Sequence, residues 1–349
     1  MKNRFLALHF EITNKCNLRC KHCYNAKYLE ENVDELTTKE VMKIIDEAIK
    51  LGCEDIGFSG GEPFARSDIL ELINYVRDYP IHILSNGLLI TEESLDYINS
   101  LGNLLIEFRI SLDGLEAHRK LRGMSYEKVI EKIELLLKKG FVVTVNTMVT
   151  KDSILELDRM YNLFKEIGID RWRIDFIFNS GNANVNHIDN DILLSNFDKI
   201  KSLIIRYVKE RPDFELDINK MFRSSFLSSA RHINYTMDSK PCAYQGALTI
   251  RPNGCVSFCP SMEATFGNLL KNSIDDITST TNWKEISDIS VKDLHRKCRE
   301  CEYLYFCGGG CRADSLYDCG SLYKNSDFTC KLVEYYLNEI EPVIKEKII

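Results

Sequence analysis

The sequence predicts an α/β fold with a parallel sheet, followed by a smaller cysteine-rich domain. Six apolar strand segments alternate with six helical segments over roughly the first 210 residues, which is the pattern of right-handed β–α–β crossovers. After about residue 220 the periodicity fades and cysteines crowd together, as in a segment that folds around metal. We therefore expect two domains, residues 1–220 and residues 221–349.

Polar and glycine-rich motifs follow directly after the predicted strands of the first domain. In a barrel of parallel strands, the loops after the strands build one active face. This placement favours a partial (β/α)6 barrel of the TIM type, although six alternations also fit a doubly wound sheet.

Local signals support each element in turn. Residues 5–13 alternate apolar and polar side chains, as in a strand with one buried face. The capping box Thr37-Thr-Lys-Glu40 opens the first helix, and Gly52 ends it. The remaining strands are predicted at residues 55–58, 82–84, 105–111, 141–149 and 172–178. The remaining helices are predicted after the caps Ser67, Thr91 and Ser125 and at residues 154–167, 192–209 and 329–347.

Composition excludes several classes of protein. The chain has 349 residues, 44% of them hydrophobic, which is enough for a large core. A net charge of −7 without a long Lys/Arg block argues against a nucleic-acid partner. The N-terminus lacks the apolar run of a signal peptide, and no segment approaches the ~20 apolar residues of a spanning helix. We expect a cytoplasmic protein, and 13 cysteines in a chain without a secretion signal argue for metal binding over disulfides.

A cysteine triplet follows the first predicted strand, with the spacing Cys16-x3-Cys20-x2-Cys23. Three thiolates can hold three irons of a [4Fe-4S] cube and leave the fourth iron open to chelate a small molecule. The alternative is a zinc knuckle, with His22 or a distant residue as the fourth ligand.

Further motifs follow in order and carry a family resemblance. They are Ser59-Gly60-Gly61-Glu62-Pro63, Ser85-Asn86-Gly87, Ser111-Leu112-Asp113-Gly114 and Leu121-Arg122-Gly123. With the triplet, they resemble the motifs of radical S-adenosylmethionine (SAM) enzymes, in particular the larger peptide-modifying members. The C-terminal cysteines resemble the SPASM extension of that family, which carries auxiliary iron–sulfur clusters. The resemblance covers about residues 5–335 and implies a partial barrel that is open on one side.

The resemblance also implies roles for the motif residues. By it, the cysteine triplet ligates a [4Fe-4S] cluster whose open iron is chelated by the amino and carboxylate groups of SAM. One electron then cleaves SAM to methionine and a 5′-deoxyadenosyl radical. His22 stands where the family usually has an aromatic residue against adenine. Arg122 stands where the family has an arginine for the SAM carboxylate, although a surface arginine is the alternative.

The other motif residues are also expected near the cofactor, but their sequence signals are less specific. Gly60-Gly61 lets the backbone approach a ligand closely, although an ordinary tight turn has the same residues. Glu62 would accept hydrogen bonds from an amino group or fix its loop. Asn86 would bond ribose or substrate, or serve as a turn residue. The end of the fourth strand supplies two further candidates, Ser111 and Asp113.

The C-terminal cysteines form a second framework. Cys298-x2-Cys301-x5-Cys307-x3-Cys311 matches the SPASM core, and Cys242-x11-Gly254-x4-Cys259 matches its upstream hairpin. By resemblance, one auxiliary cluster is bound by Cys298, Cys301, Cys307 and Cys330. The other is bound by Cys242, Cys259 and Cys311, with Cys255 as a candidate fourth ligand or else an open site.

Three cysteine questions stay open at this point. Cys319 would replace Cys330 or stay free, and Cys53 is expected to be a buried packing residue. Two zinc sites are the alternative for the whole C-terminal framework.

We expect a radical SAM enzyme that abstracts hydrogen from a ribosomally made peptide. A non-peptide substrate such as a tetrapyrrole is the alternative enzyme function, and an electron carrier without catalysis is the alternative class. The first strand begins almost at residue 5, so we expect no preceding leader-binding domain. A peptide would then dock directly or through a separate recognition protein, and an external low-potential electron donor is required.

Two details bear on the substrate. Arg173 and Asp175 alternate with apolar residues on the sixth strand, as lumen-facing substrate contacts or as a structural ion pair. Sulfatase-maturating SPASM enzymes place a catalytic aspartate directly after the cysteine that matches Cys259, whereas this chain has Pro260. The sequence therefore predicts no conversion of a sulfatase peptide to formylglycine.

Overall fold

One sheet of eleven strands organises the described part of the chain. The computed structural model describes residues 7–29, 34–102, 104–188, 191–227, 234–240, 242 and 246–348. In these residues the strands are β1 (Ala7–Thr13), β2 (Asp55–Gly60), β3 (Ile81–Ser85), β4 (Ile106–Ser111), β5 (Val142–Val149), β6 (Arg171–Phe176), β7 (Glu215–Ile218), β8 (Phe222–Arg223), β9 (Ala247–Ile250), β10 (Cys255–Ser257) and β11 (Thr265–Asn268). Their order in the sheet is β11-β10-β9-β1-β2-β3-β4-β5-β6-β7-β8.

The six strands β1 to β6 are parallel, and each pairs with the next along the chain. A doubly wound sheet reverses its strand order at one point, and this order does not reverse, so that alternative was wrong. The predicted α/β class and parallel sheet are confirmed. At the two edges, β1 pairs with β9 and β6 pairs with β7, so the described strands form an open barrel.

Amphipathic helices cover the outside of the strands. They are α1 (Thr38–Lys50), α2 (Ile69–Tyr75), α3 (Glu92–Ser100), α4 (Glu116–Arg122), α5 (Glu127–Lys138), α6 (Leu157–Ile167), α7 (Asn182–Val185) and α8 (Phe197–Glu210). The outward side chains of β1, Leu8, Phe10 and Ile12, are buried in the same core as Val41 and Ile45 of α1. Each such side chain contributes roughly 1.5–3 kcal/mol relative to an exposed position.

The predicted helix caps have mixed outcomes. Thr37 and Thr91 form capping boxes, as expected. The caps predicted at Ser67 and Ser125 were wrong, because α2 begins after Asp68 and α5 after Tyr126, without a side-chain cap bond. The helices predicted from residues 154 and 192 begin later, at Leu157 and Phe197, because a 3₁₀ turn precedes each of them.

The C-terminal region continues the barrel sheet. β9 runs parallel to β1, and β10 and β11 complete an antiparallel meander. The helices that follow are α9 (Ile274–Thr278), α10 (Thr281–Ser287), α11 (Arg296–Arg299), α12 (Leu304–Cys307), α13 (Arg312–Cys319), α14 (Asp327–Tyr335) and α15 (Glu341–Ile348). A π turn at Tyr336–Ile340 joins α14 to α15, close to the predicted closing helix. The domain boundary at residue 220 stays a prediction.

None of the helices in the described ranges is long and apolar enough to cross a membrane.

Candidate active site

The cysteine loop after β1 is held by the Gly60-Gly61 turn after β2. Gly61 N donates to Thr13 O over 2.7 Å, and Glu62 N donates to Lys15 O over 2.8 Å. A Cβ on Gly60, whose φ is +126°, would lie 2.4 Å from Thr13 O, and a Cβ on Gly61 would lie 2.3 Å from Lys15 O. The two glycines therefore permit the close approach of the chain that leads into the cysteine loop.

The opposite side of the same loop is held by the segment after β6. Asn182 N donates to Cys23 O over 3.0 Å, and Asn182 Nδ2 donates to Cys20 O over 3.2 Å. Asn186 Nδ2 donates to Lys21 O over 2.9 Å. The sequence analysis did not identify these asparagines. The one local signal is the turn residue Gly181, at φ +54°. A Cβ there would lie 2.5 Å from Cys23 O, so glycine allows the two chain segments to approach.

All three loop cysteines line one cavity, where Cys20 is buried and Cys16 and Cys23 are partly buried. Burial raises the pKa of Cys16 and Cys20, and it raises the pKa of Cys23 to about 12. Leu18 N donates to Cys16 Sγ over 3.4 Å, a bond that favours the ionised sulfur. The thiols of Cys20 and Cys16 also act on Cys23, so the three sulfurs are neighbours, as the ligands of one iron–sulfur cluster would be.

Arg122 reaches this loop from the end of α4. Its Nε donates to Asp113 Oδ2 over 2.5 Å, and its Nη1 lies 3.9 Å from Cys20 Sγ. Its side chain is 12% exposed, so it is not a surface arginine. The Asp113 carboxylate is fully buried, and Arg122 and His22 lower its pKa to about 2 against the effect of burial. Asp113 Oδ1 also accepts from Met148 N over 2.9 Å.

His22 lies against the same pair. Its Nε2 is 3.3 Å from Asp113 Oδ2 and 3.5 Å from Arg122 Nη2. Burial lowers the pKa of His22 to about 4, which keeps the ring neutral at physiological pH. A neutral, flat ring beside the cysteines is suited to packing against a planar ligand.

Glu62 is an internal part of its loop. Its fully buried carboxylate accepts from Ser85 Oγ over 2.7 Å and from Asn86 N over 2.8 Å. Burial raises its pKa to about 7, against the lowering effect of these bonds. Of the two roles expected from sequence, this geometry provides loop fixation.

The remaining motif residues have distinct positions. Asn86 Nδ2 donates to Asn17 Oδ1 over 2.9 Å, which ties the end of β3 to the cysteine loop. Ser111 lines the cavity at the end of β4, opposite Asn146 in the β4–β5 register. Asn146 Oδ1 is buried without a hydrogen-bond partner in the described structure.

One cavity of about 710 Å³ joins the cysteine loop to part of the C-terminal cysteines. Its wall includes the triplet, Arg122 and, on the C-terminal side, Cys242, Cys259, Pro260 and Cys311. Arg173 and Asp175 also line it, and Arg173 Nε donates to Asp175 Oδ2 over 2.9 Å. Both sequence-based roles of that pair, as an ion pair and as part of the lumen wall, are therefore compatible with the structure.

Cys242, Cys259 and Cys311 form the inner cysteine group. Burial, together with the neighbouring thiols of Cys311 and Cys242, raises the pKa of Cys259 to about 12. Cys255 lies at the start of β10, where its Sγ accepts from Asn268 Nδ2 over 3.5 Å, and it does not line the cavity.

Cys298, Cys301, Cys307 and Cys330 form the outer cysteine group. Burial and the thiols of Cys307 and Cys298 raise the pKa of Cys330 to about 11. Asn325 Nδ2 donates to both Cys307 Sγ and Cys330 Sγ over 3.7 Å. Cys319 instead donates its S–H to Asn325 O over 3.4 Å. Cys53 is buried in the hydrophobic core, with its Sγ 3.3 Å from Asp55 O, in agreement with a packing role.

A buried ion pair links the barrel to the C-terminal region. Arg251 Nη1 donates to Glu11 Oε2 over 2.5 Å, and Arg251 Nη2 donates to Pro260 O and Met262 O over 3.1 and 3.0 Å. Asn25 Nδ2 donates to the second Glu11 oxygen over 3.0 Å. The sequence analysis missed this connection, which fixes the turn after Cys259 against the first strand.

Two family models match the chain. The radical SAM superfamily model matches residues 10–164, and the SPASM model, an iron–sulfur cluster-binding domain, matches residues 242–302. These two domains imply SAM and [4Fe-4S] clusters as cofactors.

Curated relatives of similar length cover nearly the whole chain. The AdoMet-dependent heme synthase of Methanosarcina barkeri is 27% identical over 328 residues, which is 90% of this chain and 93% of the relative. The PqqA peptide cyclase of Gluconobacter oxydans is 26% identical over 344 residues, which is 95% of this chain and 92% of the relative.

Solved structures share the fold at lower identity. Streptococcus suis SuiB bound to S-adenosylmethionine has a TM-score of 0.75 and 19% identity, over 94% of this chain and 77% of that one. The anSMEcpe protein with bound AdoMet has a TM-score of 0.79 and 19% identity, over 98% of this chain and 95% of that one. The family models, the fold and the site geometry agree. This chain is a radical SAM superfamily enzyme with a C-terminal SPASM iron–sulfur cluster-binding domain.

Proposed function

We propose that this enzyme cleaves SAM reductively and removes a hydrogen atom from a ribosomally made peptide. The observation that carries the proposal is the single cavity of about 710 Å³ that runs from the cysteine loop to the inner cysteine group. A volume of this size is typical of a ligand site. It holds a substrate segment between the two groups of sulfur ligands.

The cysteine loop is the proposed site of the SAM-binding cluster, with Cys16, Cys20 and Cys23 as ligands. When bound, that cluster would supply one electron for cleavage of SAM to methionine and a 5′-deoxyadenosyl radical, which takes the substrate hydrogen. Arg122, oriented by Asp113, is the proposed partner of the SAM carboxylate. His22 is the proposed contact of the adenine ring, because it is neutral, flat and next to the cysteines.

The C-terminal groups are the proposed ligands of two auxiliary clusters. The outer group supplies Cys298, Cys301, Cys307 and Cys330, and the inner group supplies Cys242, Cys259 and Cys311. All three inner cysteines line the cavity, whereas Cys307 alone of the four outer cysteines does, so the inner cluster would face the substrate. The proposed partners are the peptide, a separate leader-recognition protein and an external low-potential electron donor.

The cavity wall supports a peptide through paired donors and acceptors. Arg173 and Asp175 present a guanidinium and a carboxylate side by side, and a peptide backbone offers groups complementary to both. Two relatives are also named for peptides, the PqqA peptide cyclase and SuiB bound to precursor peptide SuiA.

A tetrapyrrole is the second candidate substrate, and a specific observation favours it. Two of the curated relatives from Methanosarcina barkeri are named for tetrapyrrole products, the AdoMet-dependent heme synthase and the Fe-coproporphyrin III synthase, at 27% and 25% identity. Several arginines in the cavity wall, including Arg109 and Arg173, are suited to carboxylate side chains.

An anaerobic assay separates the candidates. Reconstituted enzyme is incubated with SAM and dithionite, and with either a peptide encoded beside its gene or an iron coproporphyrin. We expect the peptide to increase 5′-deoxyadenosine formation and to change in mass. Stimulation by the porphyrin alone would support the second candidate. The absence of 5′-deoxyadenosine under all conditions would mean an electron carrier.

A further inference from the structure

Arg312 is a fully buried arginine between the two auxiliary cysteine groups. It directly follows Cys311 and is 0% exposed. Its Nη1 donates to Leu322 O over 2.6 Å and to Lys324 O over 2.9 Å. Its Nη2 donates to Gly310 O over 3.2 Å and also to Gly309 O. All of these acceptors are neutral carbonyls.

No carboxylate pairs with Arg312 in the part of the chain that the structure describes, and its buried Nε has no hydrogen-bond partner there. The other buried arginines differ in this respect. Arg66 pairs with Asp68 over 2.7 Å, and Arg251 pairs with Glu11 over 2.5 Å. A buried charge without an opposite charge is strongly unfavourable, so Arg312 requires an anion that the polypeptide carboxylates do not provide.

The charged neighbours of Arg312 are cysteines of both groups. The sulfurs of Cys311, Cys298, Cys242 and Cys307 interact electrostatically with its guanidinium. Its Nη1 also donates to Lys324 O, directly before Asn325, which donates to Cys307 Sγ and Cys330 Sγ. Cys311 and Cys242 belong to the inner group, and Cys298 and Cys307 belong to the outer group. The three glycines 308–310, all with positive φ, form the turn between Cys307 and Cys311, directly before this arginine.

We propose that Arg312 is the shared counter-ion of the two auxiliary iron–sulfur clusters, a positioning residue that stabilises their thiolates and raises their reduction potentials. Net charge is one of the factors that set the potential of a thiolate-ligated cluster. A guanidinium fixed between the two sets of sulfur ligands favours the added electron at either cluster. This inference rests on the auxiliary clusters of the proposed function.

Two substitutions separate charge from hydrogen bonding. Arg312→Lys keeps the positive charge and loses part of the donor fork, whereas Arg312→Gln loses the charge and keeps an N–H donor. Arg66→Gln is the matched control. Arg66 is also buried, and it donates to two backbone carbonyls, Ile12 O and Leu36 O, far from the auxiliary cysteines in sequence.

The test is an EPR-monitored redox titration of the anaerobically reconstituted, full-length variants, with iron analysis. Signals that SAM does not alter belong to the auxiliary clusters. We expect Arg312→Gln to lower the iron content and to move the auxiliary midpoints to more negative potential. Arg312→Lys should stay close to the wild type, and Arg66→Gln should leave the auxiliary midpoints unchanged.

Iron content and midpoint potential can each contradict the proposal. Unchanged midpoints and full iron in Arg312→Gln would overturn it. Equal effects of Arg312→Gln and Arg312→Lys on iron or on midpoint would also overturn it, because they would show a hydrogen-bonding role alone. If Arg312→Gln loses the auxiliary iron completely, retention of iron by Arg312→Lys supports the charge. A wild-type protein with only about four irons would instead refute the auxiliary clusters of the proposed function.

Discussion

Arg122 Nε donates to Asp113 Oδ2 over 2.5 Å, and this pair fixes the direction of the guanidinium toward the cysteine loop. The contact joins the last residue of α4 to the loop that follows β4. Asp113 uses its other oxygen to accept from Met148 N, so both ends of the carboxylate are occupied. The arginine is therefore held in place before any ligand arrives, and its Nη1 and Nη2 remain directed toward Cys20 and His22.

Arg122→Ala should weaken SAM binding without changing iron content. Loss of one charge-assisted bond typically costs ~1.5–3 kcal/mol, which corresponds to roughly ten- to hundredfold in affinity. Equilibrium binding of SAM to the reconstituted enzyme measures this effect. Arg159→Ala is the control, because Arg159 pairs with Glu116 at an exposed site with 58% of its side chain accessible. Equal dissociation constants for the wild type and Arg122→Ala would remove the SAM role of Arg122.

The iron content should reflect three clusters. We expect about 12 irons in the anaerobically reconstituted wild type, from three four-iron cubes. Replacement of Cys16, Cys20 and Cys23 together with alanine should remove about four irons and abolish SAM cleavage. Iron analysis and 5′-deoxyadenosine formation measure the two effects. Cleavage that persists in the triple variant would contradict the assignment of the cysteine loop.

The fourth ligand of the outer cluster should be Cys330. Cys330 Sγ accepts a bond from Asn325 Nδ2, as Cys307 Sγ does, and an accepting sulfur is suited to the ionised form. Cys319 donates its S–H to Asn325 O, which requires a protonated thiol. Cys330→Ala should therefore lose iron, and the matched variant Cys319→Ala should not. The opposite pattern would make Cys319 the ligand.

Glu62 should make stability depend on pH. Its pKa in the folded protein is about 7, above the ordinary value of 4.5, because the carboxylate is buried. The folded state therefore binds this proton more tightly than the unfolded state. Its stabilising contribution is fully present below pH 4.5 and is lost as the pH rises through about 7. Over this pH range the free energy of unfolding should fall by about 3 kcal/mol.

Urea unfolding of the wild type and Glu62→Gln between pH 5 and 8 tests this effect, in the same anaerobic buffers. Glutamine cannot titrate, so the free energy of unfolding of the wild type should fall relative to that of Glu62→Gln as the pH rises. Other titrating groups are common to both proteins and cancel in the difference. Parallel pH profiles would mean that Glu62 does not titrate in this range.

The motif residues could be predicted from sequence because each lies in a short contiguous pattern. The capping box at Thr37, the cysteine spacing and the order of the loops needed only local signals. The contacts that hold the site together connect distant parts of the chain. Asn182 and Cys20 are separated by 162 positions, and Arg251 and Glu11 by 240. These contacts depend on which strands and loops the fold brings together, and a lone asparagine or arginine has no local signature of such a partner.

Gly60, Gly61 and Glu62 show a related limit. Sequence places them after β2, and glycine signals a close approach, but it does not say what approaches. In the structure the approaching groups are Thr13 O and Lys15 O, and the Glu62 carboxylate is taken up by Ser85 and Asn86. The Gly60-Gly61-Glu62 motif therefore supports the segment that leads into the cysteine loop.

The residue after Cys259 should exclude sulfatase maturation. Pro260 lines the cavity directly beside the inner cysteine group, and Arg251 Nη2 donates to its backbone oxygen over 3.1 Å. Oxidation of a cysteine or serine side chain to an aldehyde requires a base for the thiol or hydroxyl proton. Proline has no titratable side-chain group, so this position in the cavity wall cannot supply the base.

We therefore expect no formylglycine from a sulfatase-motif peptide after anaerobic incubation with SAM and dithionite, as measured by mass spectrometry. Formation of 5′-deoxyadenosine in the same reaction is the control that the enzyme is active. A sulfatase-maturating enzyme assayed in parallel shows that the peptide is competent.

Hydrogen abstraction at a carbon centre needs no base at Pro260, because the radical itself removes the hydrogen atom. Asp175, a carboxylate in the cavity wall with 15% of its side chain exposed, is the residue that we propose for any later proton transfer. Aldehyde formation over several turnovers would show that another residue replaces the missing aspartate and would contradict this exclusion.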